Sequence, residues 1–222
     1  MKHLGMVCIL SSLLTLSACI RIEVHEKNHP DLRRQPVDDS AVVVGLSMKV
    51  KALLGSGPIS GAYFVRLEEK KDILKQDRPM LAIFNGSYVY LVNAQPGRYA
   101  AVAVLYPCRL FDKCWIFPLP KSLIEQTITT VAPGTVGYLG DYEIELSGNA
   151  RDGGDDVAQY YFHLLSARPS VGDINLLLAL PLKSVRDEQS TQHFLKLTDE
   201  KLLEKRGGKW SSWIQEQLQM HY

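Results

Sequence analysis

Residues 41–51 read AVVVGLSMKVK, and this stretch decides the fold class. Every second side chain is large and apolar, and most of those in between are small or charged. The two alternating sets are Val42, Val44, Leu46, Met48 and Val50 on one side, and Val43, Gly45, Ser47, Lys49 and Lys51 on the other. An alternation with period two places each set on one face of a β-strand. The stretch therefore predicts a strand with one buried face.

Similar strand patterns recur farther along the chain, at residues 63–67, 81–84, 88–92, 99–106, 124–131 and 142–146. Asn85-Gly86 separates two of them and predicts a hairpin, because both residues tolerate a positive φ. Residues 99–106 are apolar on both faces, which predicts a central strand. The GSGPISG sequence at 55–61 predicts a loop. Short strands separated by turns predict an antiparallel β-sandwich over residues 41–148, within a mainly β (β+α) fold.

The C-terminal part, residues 149–222, is expected to hold a final strand and a helical segment packed on the sandwich. Residues 157–166 predict the last strand, and 176–182 are ambiguous between strand and helix. Ser184, followed by acidic residues, resembles an N-cap that opens a helix to about Leu197. The spacing also predicts a final helix, with one face made of Trp210, Trp213, Ile214, Gln217 and Leu218.

The first twenty residues, MKHLGMVCILSSLLTLSACI, have the composition of an export signal. Lys2 is the basic start, and the apolar run that follows is shorter than the roughly 20 residues a membrane span needs. Leu16-Ser17-Ala18-Cys19 resembles the lipobox of bacterial lipoproteins. The resemblance implies that residues 1–18 are a cleaved signal peptide and that diacylglycerol and palmitate are attached to Cys19. An ordinary secretory signal with an incidental cysteine is the alternative.

This lipoprotein resemblance also implies a location. The lipid on Cys19 would anchor the chain to a membrane without spanning it. An Asp after the lipidated Cys commonly marks retention in the inner membrane of Gram-negative cells, and Ile20 stands there instead. We therefore expect an outer-membrane anchor with the folded body facing the periplasm, if the cell is Gram-negative.

Residues 19–40 are polar and read as a tether with an r.m.s. span of roughly 25 Å. His25, Glu26 and His29 form the H-E-x-x-H pattern of zinc metalloproteases, in which two His bind zinc and the Glu polarises water. Pro30 disfavours a helix at His29, and no apolar face flanks the pattern. His25 and His29 are therefore only weak metal candidates, and a metal-dependent hydrolase is the minor alternative.

The other cysteines agree with export, and the charge balance bears on the kind of partner. Cys108 and Cys114 are spaced C-x5-C and predict a disulfide in an oxidising compartment; a two-Cys metal site is the alternative. The chain has 25 Lys+Arg and 24 Asp+Glu. Loss of the signal peptide would remove Lys2 and no acid, so the mature charges balance. This balance argues against nucleic acid as a partner.

Two turn-and-strand phrases carry a second resemblance. AQPGRY at 94–99 and VAPGTVGYLG at 131–140 resemble phrases in transthyretin-like or carboxypeptidase-regulatory-like β-sandwiches, which occur in bacterial lipoproteins. The resemblance covers about residues 41–148. It implies a fold and an envelope role, and it supplies no catalytic residues.

No segment has the pattern of a nucleophile elbow, a Walker loop or a dinucleotide site. The three aspartates Asp152, Asp155 and Asp156 predict a solvated turn rather than a cation site, and His163 predicts a hydrogen-bonded sheet residue. Leu110, Phe111 and Trp115 form a possible partner surface, or else complete the core. The sequence therefore predicts a non-enzymatic envelope lipoprotein without a cofactor, which binds a protein partner in the envelope or has a structural role. A small-ligand or glycan-binding module is a further alternative.

Overall fold

A computed structural model describes residues 42–52, 55–68, 74–85, 88–108, 113–147, 154–167, 178–200 and 209–220. Within these ranges the chain forms ten strands and four helices. The strands are β1 (Val42–Ala52), β2 (Gly55–Pro58), β3 (Gly61–Arg66), β4 (Met80–Asn85), β5 (Tyr88–Ala94), β6 (Gly97–Cys108), β7 (Lys113–Pro118), β8 (Thr129–Val131), β9 (Val136–Ser147) and β10 (Leu178–Val185). The helices are α1 (Lys121–Thr127), α2 (Asp156–Ser166), α3 (Glu188–Thr198) and α4 (Lys209–Gln219). The predicted mainly β fold with a C-terminal helical segment is confirmed.

Hydrogen bonds connect the strands in the order β10-β9-β1-β5-β4-β3-β6-β7, with β2 paired to β1 and β8 paired to β6. Every pairing is antiparallel except that of β1 with β9, which is parallel. The first and last strands of this order, β10 and β7, approach one another. The strands thus fold over a shared core in a sandwich-like arrangement. The GSGPISG stretch is not wholly a loop, because its first four residues form β2.

Strand β1 lies at the centre of the molecule and is buried on both faces over its first half. Val44 and Leu46 face the main core, while Val43 belongs to a second apolar cluster beneath α3 and α4. The prediction of a single buried face holds only toward the end of the strand, where Lys49 and Lys51 are exposed. Its period-two pattern is produced by the main core, and the helices cover the other face.

The hairpin and the central strand are confirmed. β4 and β5 pair antiparallel, with Asn85 opposite Tyr88, so the connecting residues are 86 and 87 rather than Asn85-Gly86. β6 pairs with β3, β7 and β8, and its residues 99–104 are all buried. Buried apolar residues on successive positions reflect cover on both faces.

The strand predicted over residues 124–131 is wrong in its first half. Pro120 precedes a short helix, α1, and its carbonyl accepts hydrogen bonds from the amides of Leu123 and Ile124. Leu123, Ile124 and Thr127 are buried on one helical face. The Thr127 hydroxyl donates to the Ile124 carbonyl and accepts from the amide of Ala101, which ties the helix to β6. Only β8 retains the extended conformation.

The last strand, predicted over residues 157–166, is also wrong, because this segment is helix α2. The Asp155 carboxylate is its N-cap and accepts from the amides of Val157 and Ala158. Val157, Ala158, Tyr161 and Leu165 are the buried residues. Asp155 is therefore a capping residue, and His163 is an exposed helical residue rather than a sheet histidine.

The ambiguous segment near residue 180 is the edge strand β10. Ser184 lies within it, and the N-cap of α3 is Asp187, whose side chain accepts from the Ser190 amide while the Ser190 hydroxyl accepts from the Asp187 amide. The predicted helix is confirmed, but its cap lies three residues later than expected. The final helix is confirmed as α4, with Trp210 and Ile214 buried.

Candidate binding groove

Helices α3 and α4 cover the outer face of β1, β5 and β9 through a cluster of aromatic rings. The Phe194 ring is stacked with those of Tyr138 and Tyr90, at centroid distances of 4.7 and 6.0 Å, and Tyr88 meets it edge-on at 5.0 Å. Gly45 of β1 lies beneath the ring, and a Cβ there would be 2.3 Å from Phe194 Cε2. The absence of a side chain at Gly45 therefore allows α3 to pack directly on the β1 backbone.

A bulge in β9 determines which residues face this cluster. Tyr138 is paired with Gly45 and Asp141 with Ser47, so β9 contains one extra residue in this interval. Gly140 has φ of +119°, a conformation that L side chains rarely adopt. The extra residue shifts the alternation, so that Asp141 lies on the same face as Tyr138, while Tyr142 and Ile144 face the main core.

Burial dominates the electrostatics of this layer. Burial raises the pKa of the Asp141 carboxyl, and the neighbouring Tyr138 and Ser47 hydroxyls partly oppose the shift. Burial likewise raises the pKa of the Tyr138 and Tyr88 hydroxyls, and the nearby Asp141 charge adds to both shifts. Within the described ranges, the Tyr138 hydroxyl and Oδ1 of Asp141 have no hydrogen bond of standard geometry. The layer therefore moves the titration of Asp141 toward higher pH.

A groove of about 290 Å³ opens beside this cluster, between the two helices and the strands β8 and β9. Its lining residues are Thr129, Thr130, Val136, Gly137, Tyr138, Arg186, Glu188, Thr191, Gln192, Leu195, Trp213 and Gln217. The α3 members recur at intervals of three or four, so they share one face of that helix, and the two α4 members are one turn apart. Hydroxyl, amide, charged and indole groups thus converge on one space.

The floor of the groove exists because β10 does not cover all of β9. β10 is paired with β9 from Asp141 to Ser147, and residues 136–139 precede that pairing. Thr129 of β8 approaches this uncovered part, where its hydroxyl donates to the Tyr138 carbonyl at 3.2 Å. The backbone of β9 therefore forms the floor of the groove. β8 borders it on one side, and the two helices lie over it.

Hydrogen bonds fix the rim. Arg186 Nη1 donates to the Ile128 carbonyl at 3.0 Å, which holds the guanidinium beside β8. Asp199, at the end of α3, accepts hydrogen bonds from Ser211 and Gln215 of α4. Gln192 Nε2 and the Glu188 carboxylate are 3.5 Å apart along α3. The groove walls are thus joined to each other and to the sheet.

Little of this site is evident from the sequence. Trp213 and Gln217 share one predicted helical face, and that face includes one wall of the groove. Neither Asp141 nor Arg186 stands out in the sequence. The Gly140-Asp141 pair was the available signal, since an isolated glycine in a strand suggests a bulge.

Several predicted site residues lie outside the part of the chain that the structure describes. They are Cys19, His25, Glu26, His29, Leu110, Phe111 and Asp152. Among the described residues, no group of three or more His, Cys, Asp or Glu is placed to hold a metal ion. Asp156 forms an ion pair with Lys75 at 2.7 Å.

The backbones of Cys108 and Cys114 take part in the pairing of β6 with β7. Cys108 is opposite Lys113, and Cys114 is opposite Pro107, so the two positions belong to neighbouring pairs of the β6–β7 ladder. Their side chains lie outside the described set, and the disulfide stays a prediction. Trp115 is half-buried, and its ring meets that of Phe117 edge-on at 6.3 Å, beside the main core.

No described helix is both long enough and apolar enough to cross a membrane. Comparison of the chain with protein-family models, with curated proteins and with solved structures gave no match.

Proposed function

We propose that this chain is a lipid-anchored lipoprotein of the bacterial cell envelope, whose folded body binds another component and is not an enzyme. The observation that carries the anchor is Leu16-Ser17-Ala18-Cys19 directly after a short apolar run. Ile20 in place of an Asp favours outer-membrane attachment over retention in the inner membrane, in a Gram-negative cell, and the folded body would face the periplasm. Attachment by lipid keeps the binding domain near the membrane while the tether lets it reach across the adjacent space.

The groove supports the binding role. Hydroxyl and amide side chains recognise a ligand by hydrogen bonds, and the half-buried Trp213 offers a flat apolar surface. Concave sites with a few convergent polar groups are the usual form of small-ligand sites. The helical layer places this groove on the opposite face of the sheet from the main core.

Labelling with an alkyne analogue of palmitate tests the anchor. The full chain should incorporate the label, and Cys19→Ser should abolish incorporation and release the protein from the outer-membrane fraction. Cys8→Ser is the matched control, because it removes a cysteine from the same leader without touching the lipobox. Labelling that persists in Cys19→Ser would refute lipidation at this position.

Site-specific photo-crosslinking in intact cells tests the partner. A crosslinking residue at Gln192 reports on the groove, one at Leu110 reports on the predicted loop surface, and one at the exposed Lys121 is the control. A discrete adduct from the groove or the loop position, absent at the control, supports binding to a protein of the envelope. Identical adduct patterns at all three positions would contradict a specific protein partner.

A further inference from the structure

Several uncharged polar side chains of the groove can both donate and accept hydrogen bonds. Thr130 contributes a hydroxyl, and Gln192 and Gln217 contribute amides. Each of these three groups offers a donor and an acceptor, unlike a carboxylate or a guanidinium. The Thr191 hydroxyl donates to the Asp187 carbonyl at 2.8 Å and contributes an acceptor. A sugar has a donor and an acceptor at every hydroxyl, so the lining suits a polyhydroxylated ligand.

The charges of the groove balance. Arg186 and Glu188 are its two charged lining residues, with opposite signs, and the guanidinium already donates to the Ile128 carbonyl. A site for an anion or a cation normally concentrates charge of one sign. An apolar ligand would bury hydroxyls and amides without partners, which costs free energy at each group. An uncharged polar ligand avoids both penalties.

Trp213 provides a fixed stacking surface. Its helix is held by Trp210 and Ile214, which are 2% and 0% exposed, and by the hydrogen bond from Ser211 to Asp199 at 2.6 Å. Trp213 itself is half-buried and packs against the aromatic cluster. The C–H groups on one face of a sugar ring form an apolar patch that packs against such a ring. A platform ordered before binding reduces the entropy lost on binding.

We propose that the groove binds an uncharged saccharide, with one sugar ring packed on Trp213 and its hydroxyls bonded to the threonine and glutamine side chains. A volume of about 290 Å³ lies just below the usual range for ligand sites, about 300–1,000 Å³, and suits one or two sugar rings. This inference deepens the proposed binding role and rests on it, while the lipid anchor is independent of it.

Isothermal titration calorimetry tests the ligand class, using the full chain purified in a zwitterionic detergent that has no sugar head group. The neutral probes are N-acetylglucosamine, its β-1,4-linked disaccharide and maltose, and inorganic phosphate and glucose 6-phosphate are the anionic comparators. Saturable heat from a neutral saccharide, and not from inorganic phosphate, is the expected result. Absence of binding by all three neutral probes up to about 10 mM would overturn the proposal.

Matched variants test the site. Gln217→Ala and Gln192→Ala should each raise the saccharide Kd roughly three- to tenfold through loss of one hydrogen bond, and Trp213→Leu should raise it more. Gln219→Ala and Gln189→Ala change the same residue type on exposed positions of the same two helices, and they should leave the Kd unchanged. Equal affinities in all of these variants would place the saccharide elsewhere and refute the groove.

Cosedimentation with purified peptidoglycan distinguishes a wall glycan from a free sugar. Sedimentation that the free disaccharide competes away identifies a wall glycan, and calorimetric binding without sedimentation identifies a soluble sugar. Sedimentation that the disaccharide does not compete counts against the groove. The two proposals fail separately, since a full chain that incorporates no palmitate label, or labelling that persists in Cys19→Ser, would refute the anchor, and silent titrations would refute the saccharide.

Discussion

The contact between Gly45 and Phe194 makes the clearest prediction about how the helices attach to the sheet. In Gly45→Ala the new methyl would lie 2.3 Å from Phe194 Cε2 and 2.5 Å from Cζ. Ordinary contact needs about 3.5 Å, so the ring must move by about 1 Å. The ring is stacked on Tyr138 and Tyr90, at 4.7 and 6.0 Å, and has little room to move.

The expected cost is about 3 kcal/mol. Overpacking a filled core costs about 1–3 kcal/mol, and a displaced ring also weakens aromatic pairs worth about 0.5–1.5 kcal/mol each. With a urea dependence of about 2 kcal/mol per M, the unfolding midpoint of Gly45→Ala should fall by about 1.5 M. The assay is urea unfolding of the chain from residue 20, followed by circular dichroism.

A double-mutant cycle identifies the cause. Phe194→Ala alone should cost about 3–5 kcal/mol. In that background Gly45→Ala should cost almost nothing, because its methyl enters the space that the ring vacates. Gly57→Ala is the matched control, since a Cβ there would lie 3.6 Å from the Tyr106 hydroxyl, an ordinary contact. Additive costs within about 0.5 kcal/mol would refute the steric explanation.

Three further predictions use the same unfolding assay. Asp155→Ala should lower the free energy of unfolding by about 1–2 kcal/mol because it removes the α2 N-cap, whereas the exposed neighbour Asp156→Ala should leave the midpoint nearly unchanged. Tyr161→Phe should cost about 2 kcal/mol because its buried hydroxyl bonds two backbone groups, and Tyr160→Phe, on a half-buried ring, should cost clearly less. Because the pKa of Asp141 is raised in the folded chain, the free energy of unfolding should fall as pH rises from about 4 through the folded pKa. Asp141→Asn should remove that fall. Superimposable pH profiles of the free energy of unfolding for the two proteins would contradict the prediction.

Strand prediction succeeded where the main core alone set the pattern. The alternation along β1 reflects the core face, and the apolar run of β6 reflects cover on both faces. The same rule failed for α1 and α2, because short apolar runs fit a strand or a buried helix equally well. Asp155 followed by apolar residues at helical spacing was the signal that could have corrected α2.

The groove was beyond prediction because its parts are distant in the chain. β8, β9, α3 and α4 meet there only after β9 pairs in parallel with β1, a pairing for which no local pattern exists. The position of Asp141 depends on the bulge at Gly140, and the attachment of α3 depends on an empty position at Gly45. Each feature is a long-range packing result.

The amino-acid sequence by itself determined the strand-rich class, the hairpin and the final helix, and its first residues predict lipid on Cys19, because these depend on local periodicity, turn chemistry and a contiguous motif. Only the tertiary structure decided that the outer face of β1 is covered, that Asp141 is turned into an aromatic layer, and that hydroxyl, amide and indole groups converge beside it. The physical reason is that a local pattern shows which side chains avoid water. A groove, in contrast, forms where surfaces that are distant in the sequence pack next to one another.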